Sequence, residues 1–292
     1  MEFLPTSKVK DIVNRALKED IGKGDITTLG TINCDKKKHG VFIAKEKLIL
    51  CGIGVVEEVF RQIDTGIHFV TNFSDGDKIS SKTEIAQATG KAASLLIAER
   101  TALNFLCRLS GIATTTSQFV RAACGTKAKI LDTRKTTPTM RFLEKYAVHT
   151  GGGTNHRAGL YDQVLIKDNH KRLMGKDNGK IFKKIGQLRK QAVLKTPVEV
   201  EVATVEESIL AVRAGCEIIM LDNMSVSQMK KSVAAIRREA VSLNLPAPLI
   251  EASGRISLEN VKQAAETGVD RISIGSLTHS SRAVDISFEI GI

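Results

Sequence analysis

Tryptophan is absent from the 292 residues, tyrosine occurs twice, and aromatic side chains make up only 4% of the chain. Proteins that hold single-stranded nucleic acid stack bases on aromatic rings, so this scarcity argues against that class. No zinc-finger or basic-zipper spacing is present either. Long apolar runs are missing as well: nothing approaches the roughly 20 residues of a membrane-spanning helix. The opening "MEFLPTSKVKDIVNRALKED" lacks the basic, apolar and small-residue order of a secretory signal. A soluble, unprocessed, cytoplasmic protein is therefore expected, with no membrane partner. Cys34, Cys51, Cys107, Cys124 and Cys216 are odd in number and scattered, which excludes a disulfide framework and fits a reducing compartment. Each is expected to be a buried small hydrophobe.

Negative charge is the scarcer sign. Lysine and arginine number 43 against 32 acidic residues, a net +11 that raises the local concentration of anions. Small anionic metabolites fit this surface at least as well as nucleic acid does. The densest run, "KKK" at 36–38, is read as a solvated loop.

Apolar residues at helical spacing over 6–21 predict a helix ended by the glycines of "GKGDITT". From His39 to about Gly90, short β-type runs ("GVFIA", "LIL", "IHFV", "EIAQATG") surround one helical stretch, "GVVEEVFRQI", and read as a small α+β domain. Residues 91–124 are helical and apolar on more than one face, as in a buried bridge. The glycine pair in "CGIGVVEE" resembles half of a dinucleotide fingerprint, but a glutamate stands at the third glycine position, so a tight turn is expected. Beyond Gly125 six β-type runs alternate with five helical ones: "AKILDTRK", "QVLIKDN", "PVEVEVAT", "EIIMLDN", "PLIEASG" and "RISIGS" each precede helical sequence or a short tail. Pro138 is placed in a first helical turn, and Gly215 and Gly268 at left-handed helix ends.

Such alternation builds a parallel sheet, rolled or open, whose ligands bind beyond the carboxyl ends of the strands. Every strand here ends in polar residues: Asp132, Arg134 and Lys135; Lys167 and Asp168; Glu199 and Glu201; Asp222 and Asn223; Glu251, Ser253 and Gly254; Gly275 and Ser276. Polar residues on all six ends, charged on five, favour a barrel mouth over an open sheet. In "VEVEV" the two glutamates share one face and the valines the other, as on a strand lining a barrel interior. Cations at some ends suit an anionic substrate. Carboxylates together with substrate phosphates are how Mg²⁺ is usually held, and glycine turns admit phosphate to backbone N–H groups. No nucleophile elbow or Ser/Cys–His–acid setting appears.

The segments "ERTALNFLCRLSGIAT", "DTRKTTPTMRFLEKYAV", "GGGTNHRAGLYDQVLIKDNH", "VEVEV", "LDNM" and "EASGRIS" resemble, in order, the signature stretches of the quinolinate phosphoribosyltransferase family. The likeness runs from "EDIGKGDITT" to "SIGSLTHS". It implies an N-terminal α+β open-faced sandwich over 1–112, including a bridging helix at a subunit interface, then an irregular parallel α/β barrel over 113–292. It implies transfer of phosphoribosyl from phosphoribosyl pyrophosphate to quinolinate with loss of CO₂, giving nicotinate mononucleotide for NAD synthesis. Mg²⁺ is implied and no organic cofactor. A homodimer or larger assembly with sites shared across subunits is also implied.

By the same resemblance Arg134, His156, Arg157 and Lys167 bind the two quinolinate carboxylates, and Arg100 comes from the neighbouring subunit. Thr133 adjoins this group, and Lys135 lies between the dicarboxylate and the phosphoribosyl moiety. Glu201 and Asp222 match acids near the ribose and its magnesium. Ser253, Gly254, Ile274, Gly275 and Ser276 match the turns taking the 5′-phosphate. Arg255 departs from the family, where a second glycine is common, and is kept as a substrate contact. His149 is read as a helix-end residue, and His170 and Asp168 either touch substrate or position Lys167. Three alternatives stand beside this. A phosphoribosyltransferase for another anionic heterocycle would share the phosphate half of the site. A lysine aldolase would use Lys135 or Lys167 as a Schiff base. A basic nucleic-acid binder would show affinity falling steeply with salt.

Overall fold

The computed structural model describes residues 4–32, 36–190 and 196–291. Cys34 lies outside them. Helix α1 (Thr6–Ile21) buries Val9, Ile12, Val13 and Leu17 on one face. "GKGDITT" does more than end α1: the Asp25 carboxylate accepts the N–H groups of Thr27 and Thr28, each at 3.0 Å, and so caps a second helix, α2 (Ile26–Thr31). Strand β1 (Lys37–Ala44) follows, so Lys37 and Lys38 open a strand rather than sit in the expected loop. Then come β2 (Leu48–Ile49), α3 (Ile53–Ile63), β3 (His68–Thr71), β4 (Lys78–Ile79) and β5 (Glu84–Lys91). The turn before α3 is as expected: Gly52 has φ +101°, a conformation only glycine adopts freely, and its N–H donates to Asp75. One 31-residue helix, α4 (Ala92–Ala122), runs through the apolar bridge sequence.

The second half alternates as predicted. It contains β6 (Lys129–Leu131), α5 (Arg141–Thr150), β7 (Val164–Ile166), α6 (Asp168–Met174), α7 (Asn178–Lys190), β8 (Val198–Val202), α8 (Val205–Arg213) and β9 (Ile218–Asp222). After these come α9 (Val226–Ser242), β10 (Leu249–Ser253), α10 (Val261–Ala265), β11 (Arg271–Ser273), α11 (Ser276–His279) and β12 (Ile286–Ile290). Two details differ from expectation. Pro138 precedes α5 instead of standing in its first turn, and the basic stretch after β7 is two helices, broken at Gly175 (φ +134°).

The chain forms two compact units: residues 1–117, 137–152 and 277–292 make one, and residues 118–136 and 153–276 the other. The first is built on an antiparallel sheet in the order β12-β1-β5-β3. The short tail is thus a strand: Phe288 on β12 pairs with Phe42 on β1, their ring centroids 4.5 Å apart. Phe60 of α3 meets Phe42 edge-on at 5.9 Å, which seats helix on sheet and fills the core of the sandwich.

The second unit holds six parallel strands in the order β6-β11-β10-β9-β8-β7. Sequence order is kept from β7 through β11, and the first strand, β6, then pairs with the last. An open doubly wound sheet reverses its order at a switch point; a monotonic order that returns its first strand to its last is that of an α/β barrel. The extended residue Thr154 bridges to Leu131 on the free edge of β6. Among the described cysteines Cys51 and Cys216 are buried as expected, but Cys107 is half-buried and Cys124, just past α4, is exposed. No described helix is long and apolar enough to cross a membrane.

Candidate active site

The strand registers set the site. Ser253 on β10 pairs with Asp222 on β9 and with Ser273 on β11, so three strand ends stand level, and the turns at Gly254 and Gly275 follow directly. Gly254 is required where it lies: at φ +92°, a Cβ there would fall 2.4 Å from Asn223 Oδ1. Arg255, next in chain, is exposed with φ +52°, and Ile274 donates its N–H to the Leu131 carbonyl at 2.9 Å, joining the end of β11 to β6. Beyond β6, Thr133 Oγ1 accepts the N–H of Lys135 (3.0 Å) in a turn that leaves Arg134 half-buried and Lys135 exposed.

The acids sit one strand apart. Glu201 on β8 is buried, accepts the Asp168 N–H at 3.1 Å, and meets Lys167 Nζ at 3.1 Å. Asp222 at the end of β9 accepts from Asn223 Nδ2 at 2.8 Å. Burial raises its pKa above the ordinary carboxylate value, and the nearby charges of Glu201 and Asp168 add to the rise. Around Lys167, His170 Nδ1 accepts the Lys167 N–H at 2.9 Å, and Asp168 pairs with Lys171 at 3.1 Å. Both residues shape the strand end that presents Lys167. His149 lies in the last turn of α5, as expected.

Arg157 is buried and donates through Nη1 to the Gln163 carbonyl at 3.0 Å. Burial holds its pKa below the usual arginine value, and repulsion from Arg134 contributes. The residues expected to bind the dicarboxylate therefore include two guanidiniums close enough to repel each other. Arg100 belongs to the other compact unit, where it is an exposed residue of α4 beside Glu99 (3.7 Å).

His156 is anchored from several directions. Its N–H donates to Asp132 Oδ1 (2.8 Å), and the Arg157 N–H donates to its Nδ1 (2.7 Å). Its Nε2 faces Glu199 Oε2 at 3.3 Å and Glu251 Oε1 at 3.4 Å. Burial opposes a charge on the ring, but hydrogen bonding and attraction to the two carboxylates prevail and raise its pKa from 6.5 to about 9. The imidazolium would set an Nδ1–H against the Arg157 N–H, so protonation and that backbone bond compete. Sequence reasoning gave Glu251 no role and missed Arg271, which pairs with Glu251 at 3.1 Å, and Gln163, whose amide donates to Glu199 Oε2 at 2.6 Å. The available signal was a charged residue inside an apolar strand, in "LIEAS" and "RISI". Among the described residues His156, Glu199 and Glu251 alone have metal-ligand spacing, with ligand atoms within 4.8 Å of one another. Arg271 pairs with the Glu251 oxygen that does not face the ring, and the Gln163 amide shares Glu199 Oε2 with His156.

Two family models match the chain: "Quinolinate phosphoribosyl transferase, N-terminal domain" over residues 25–110 and "Quinolinate phosphoribosyl transferase, C-terminal domain" over 112–289. A tobacco (Nicotiana tabacum) protein named quinolinate phosphoribosyltransferase [decarboxylating] 2b, mitochondrial, is 41% identical over 98% of this chain and 83% of its own length. A Bacillus subtilis protein named probable nicotinate-nucleotide pyrophosphorylase [carboxylating] is 39% identical over 97% of this chain and 93% of its own. The solved nicotinate-nucleotide pyrophosphorylase of Francisella tularensis superposes with a TM-score of 0.88 at 38% identity, covering 99% of this chain and 98% of that one. The chain belongs to the quinolinate phosphoribosyltransferase family.

Proposed function

We infer that this protein transfers phosphoribosyl from phosphoribosyl pyrophosphate to the ring nitrogen of quinolinate and releases pyrophosphate, CO₂ and nicotinate mononucleotide, a step of de novo NAD synthesis. The observation that carries it is the crowding of like charges at the barrel mouth. Arg157 is destabilised as a cation by burial and by Arg134, while Asp222 is destabilised as an anion by burial and by Glu201 and Asp168. Like charges crowded together favour ligands of the opposite sign: a dicarboxylate at the cations, a cation at the acids.

In this proposal Arg134, Arg157 and Lys167, with Arg100 of the partner subunit, take the two carboxylates, and His156 adds its charge. Guanidinium forks bind carboxylates bidentately, and Lys167 supplies a point charge. Lys135 and Thr133 lie on the turn between the dicarboxylate and the phosphoribosyl moiety. The turns at Ser253–Gly254 and Ile274–Gly275–Ser276 take the 5′-phosphate, and exposed Arg255 adds a cation beside them. Glu201 and Asp222 are hard oxygen donors on adjacent strands, which suits Mg²⁺, an ion commonly held by one or two carboxylates and substrate phosphate. When bound, Mg²⁺ neutralises the departing pyrophosphate. As the C1–O bond breaks, positive charge grows on the ribose, and the same two acids stabilise it. The ribosylated ring nitrogen is then a cationic electron sink, so the adjacent carboxylate leaves as CO₂ with no organic cofactor, and the electron pair left on the ring carbon takes up a proton. A homodimer in the cytoplasm completes the proposal; the tobacco relative's mitochondrial name marks that the family is not confined to one compartment.

Incubation with quinolinate, phosphoribosyl pyrophosphate and Mg²⁺ tests this directly. Stoichiometric nicotinate mononucleotide and CO₂ are expected. Turnover of another anionic heterocycle in place of quinolinate would leave only the phosphate half of the assignment standing.

A further inference from the structure

Resting on that reading of the reaction, we propose that Glu199 is a positioning residue: its carboxylate staples the segment His156–Gln163 to the barrel floor and so aims the Arg157 guanidinium at the dicarboxylate. Both ends of the segment converge on one oxygen. Glu199 Oε2 accepts from Gln163 Nε2 at 2.6 Å and faces His156 Nε2 at 3.3 Å. The loop closes a second time through Arg157 itself, whose Nη1 donates to the Gln163 carbonyl at 3.0 Å. A third closure lies at its tip, where the Ala158 N–H donates to Asp162 Oδ2 at 2.7 Å. Arg157 is thus held at its backbone through His156 and at its side chain through Gln163, and both supports lead to Glu199.

Charge explains why such a staple is firm. Glu199 and Glu251 are fully buried, and a buried carboxylate is tolerated only when paired or hydrogen-bonded. Glu251 on β10 has Arg271 on β11 at 3.1 Å, while Glu199 on β8 has the Gln163 amide and His156. Asp132, after β6, accepts the His156 backbone N–H. Removing the Glu199 charge leaves the imidazole facing the Arg271-paired Glu251 and unties Gln163 from the strand. Tight placement matters because a misaimed guanidinium loses the bidentate geometry that distinguishes a dicarboxylate from a single anion.

The experiment compares wild type with Glu199→Gln, Glu199→Asp and, as a variant at a partly exposed side chain, Gln163→Leu. All are assayed as full-length protein with Mg²⁺ and both substrates. Glu199→Gln and Gln163→Leu are expected to raise the KM for quinolinate about tenfold, as for loss of one charge-assisted contact, and to change that for phosphoribosyl pyrophosphate less than about twofold. Glu199→Asp should recover part of the loss. The ¹⁵N resonances of the His156 imidazole should shift in Glu199→Gln even without substrate. Equal rises in both KM values, or lowered thermal stability with quinolinate KM unchanged, would overturn the proposal. Inactive wild type would sink the reaction instead; unchanged imidazole resonances would still refute the staple.

Discussion

Lys167 Nζ lies 3.1 Å from Glu201 Oε1, so a cation assigned to quinolinate and an acid assigned to the ribose neutralise each other before either substrate arrives. The pair is lopsided: the lysine side chain is 48% exposed and the glutamate 11%. An ion pair with one wet partner is worth only about 0–1 kcal/mol, so substrates can part it at little cost. In the proposed reading, parting it releases both groups at once and couples occupancy of the carboxylate half of the site to that of the ribose half.

Glu201→Gln separates these roles. It frees Lys167, so quinolinate alone should bind up to about fivefold more tightly, the most that a partly exposed ion pair can withhold. Turnover should fall on the order of 100-fold, since a charge stabilising the ribose in the transition state is lost. Calorimetric titration of quinolinate beside steady-state assay checks both; weakened quinolinate binding would show that Glu201 supports the lysine rather than restraining it.

His156 should titrate far above an ordinary histidine. Burial disfavours its charge, but Glu199 and Glu251 raise its pKa to about 9. Because the folded value exceeds the unfolded 6.5, the stability it contributes is fully present below about pH 6.5 and is lost as pH rises through about 9. Quinolinate affinity should weaken over the same interval. Imidazole ¹³C or ¹⁵N shifts followed from pH 6 to 10 report the midpoint directly; a midpoint at or below 6.5 would mean that the Arg157 N–H keeps Nδ1 as an acceptor and the ring neutral.

Much of this site was legible because barrel strands carry their chemistry at period two. "VEVEV" turns both glutamates to one face by spacing alone, and the polar ends of "QVLIKDN" and "EIIMLDN" place Lys167 and Asp222 at the mouth. Long-range pairing was not legible. "ISFEI" has nothing local to say that it joins β1, since Phe288 finds Phe42 only after the whole barrel has intervened. The His156–Glu199–Glu251 cluster was hidden for the same reason. Each residue belongs to a different element, and the parity that turns Glu251 inward gives no hint of which side chain it meets there.

A structural prediction concerns Glu144 on α5. It is fully buried, pairs with Arg108 at 2.7 Å, and accepts from the N–H and hydroxyl of Thr137 at 3.0 and 2.9 Å. Glu144→Ala leaves Arg108 with the Ser281 and Thr278 carbonyls but no charge partner, takes the acceptor from both Thr137 donors, and should lower the unfolding free energy by about 3 kcal/mol. Glu144→Gln keeps an acceptor and should lower it less. Urea midpoints order the three proteins; equal midpoints for alanine and glutamine would show that the charge alone matters.

The last prediction tests whether sites are shared between subunits. Arg100 is an exposed residue of α4 in one compact unit, and Arg134 follows β6 in the other. Arg100→Ala and Arg134→Ala should each raise the quinolinate requirement by about 10- to 100-fold, the usual worth of a charge-assisted hydrogen bond. Each should leave phosphoribosyl pyrophosphate nearly unaffected. In a mixed dimer with shared sites, one site receives both substitutions and the other receives neither. Subunits exchanged at random from equal amounts form mixed dimers half the time, so activity at low quinolinate should recover to about a quarter of wild type. If Arg100 instead serves the site of its own chain, every site in every dimer carries one substitution, and mixing restores nothing. Unfolding and co-refolding the two variants, then assaying below the wild-type KM, decides between these arrangements without knowledge of the interface.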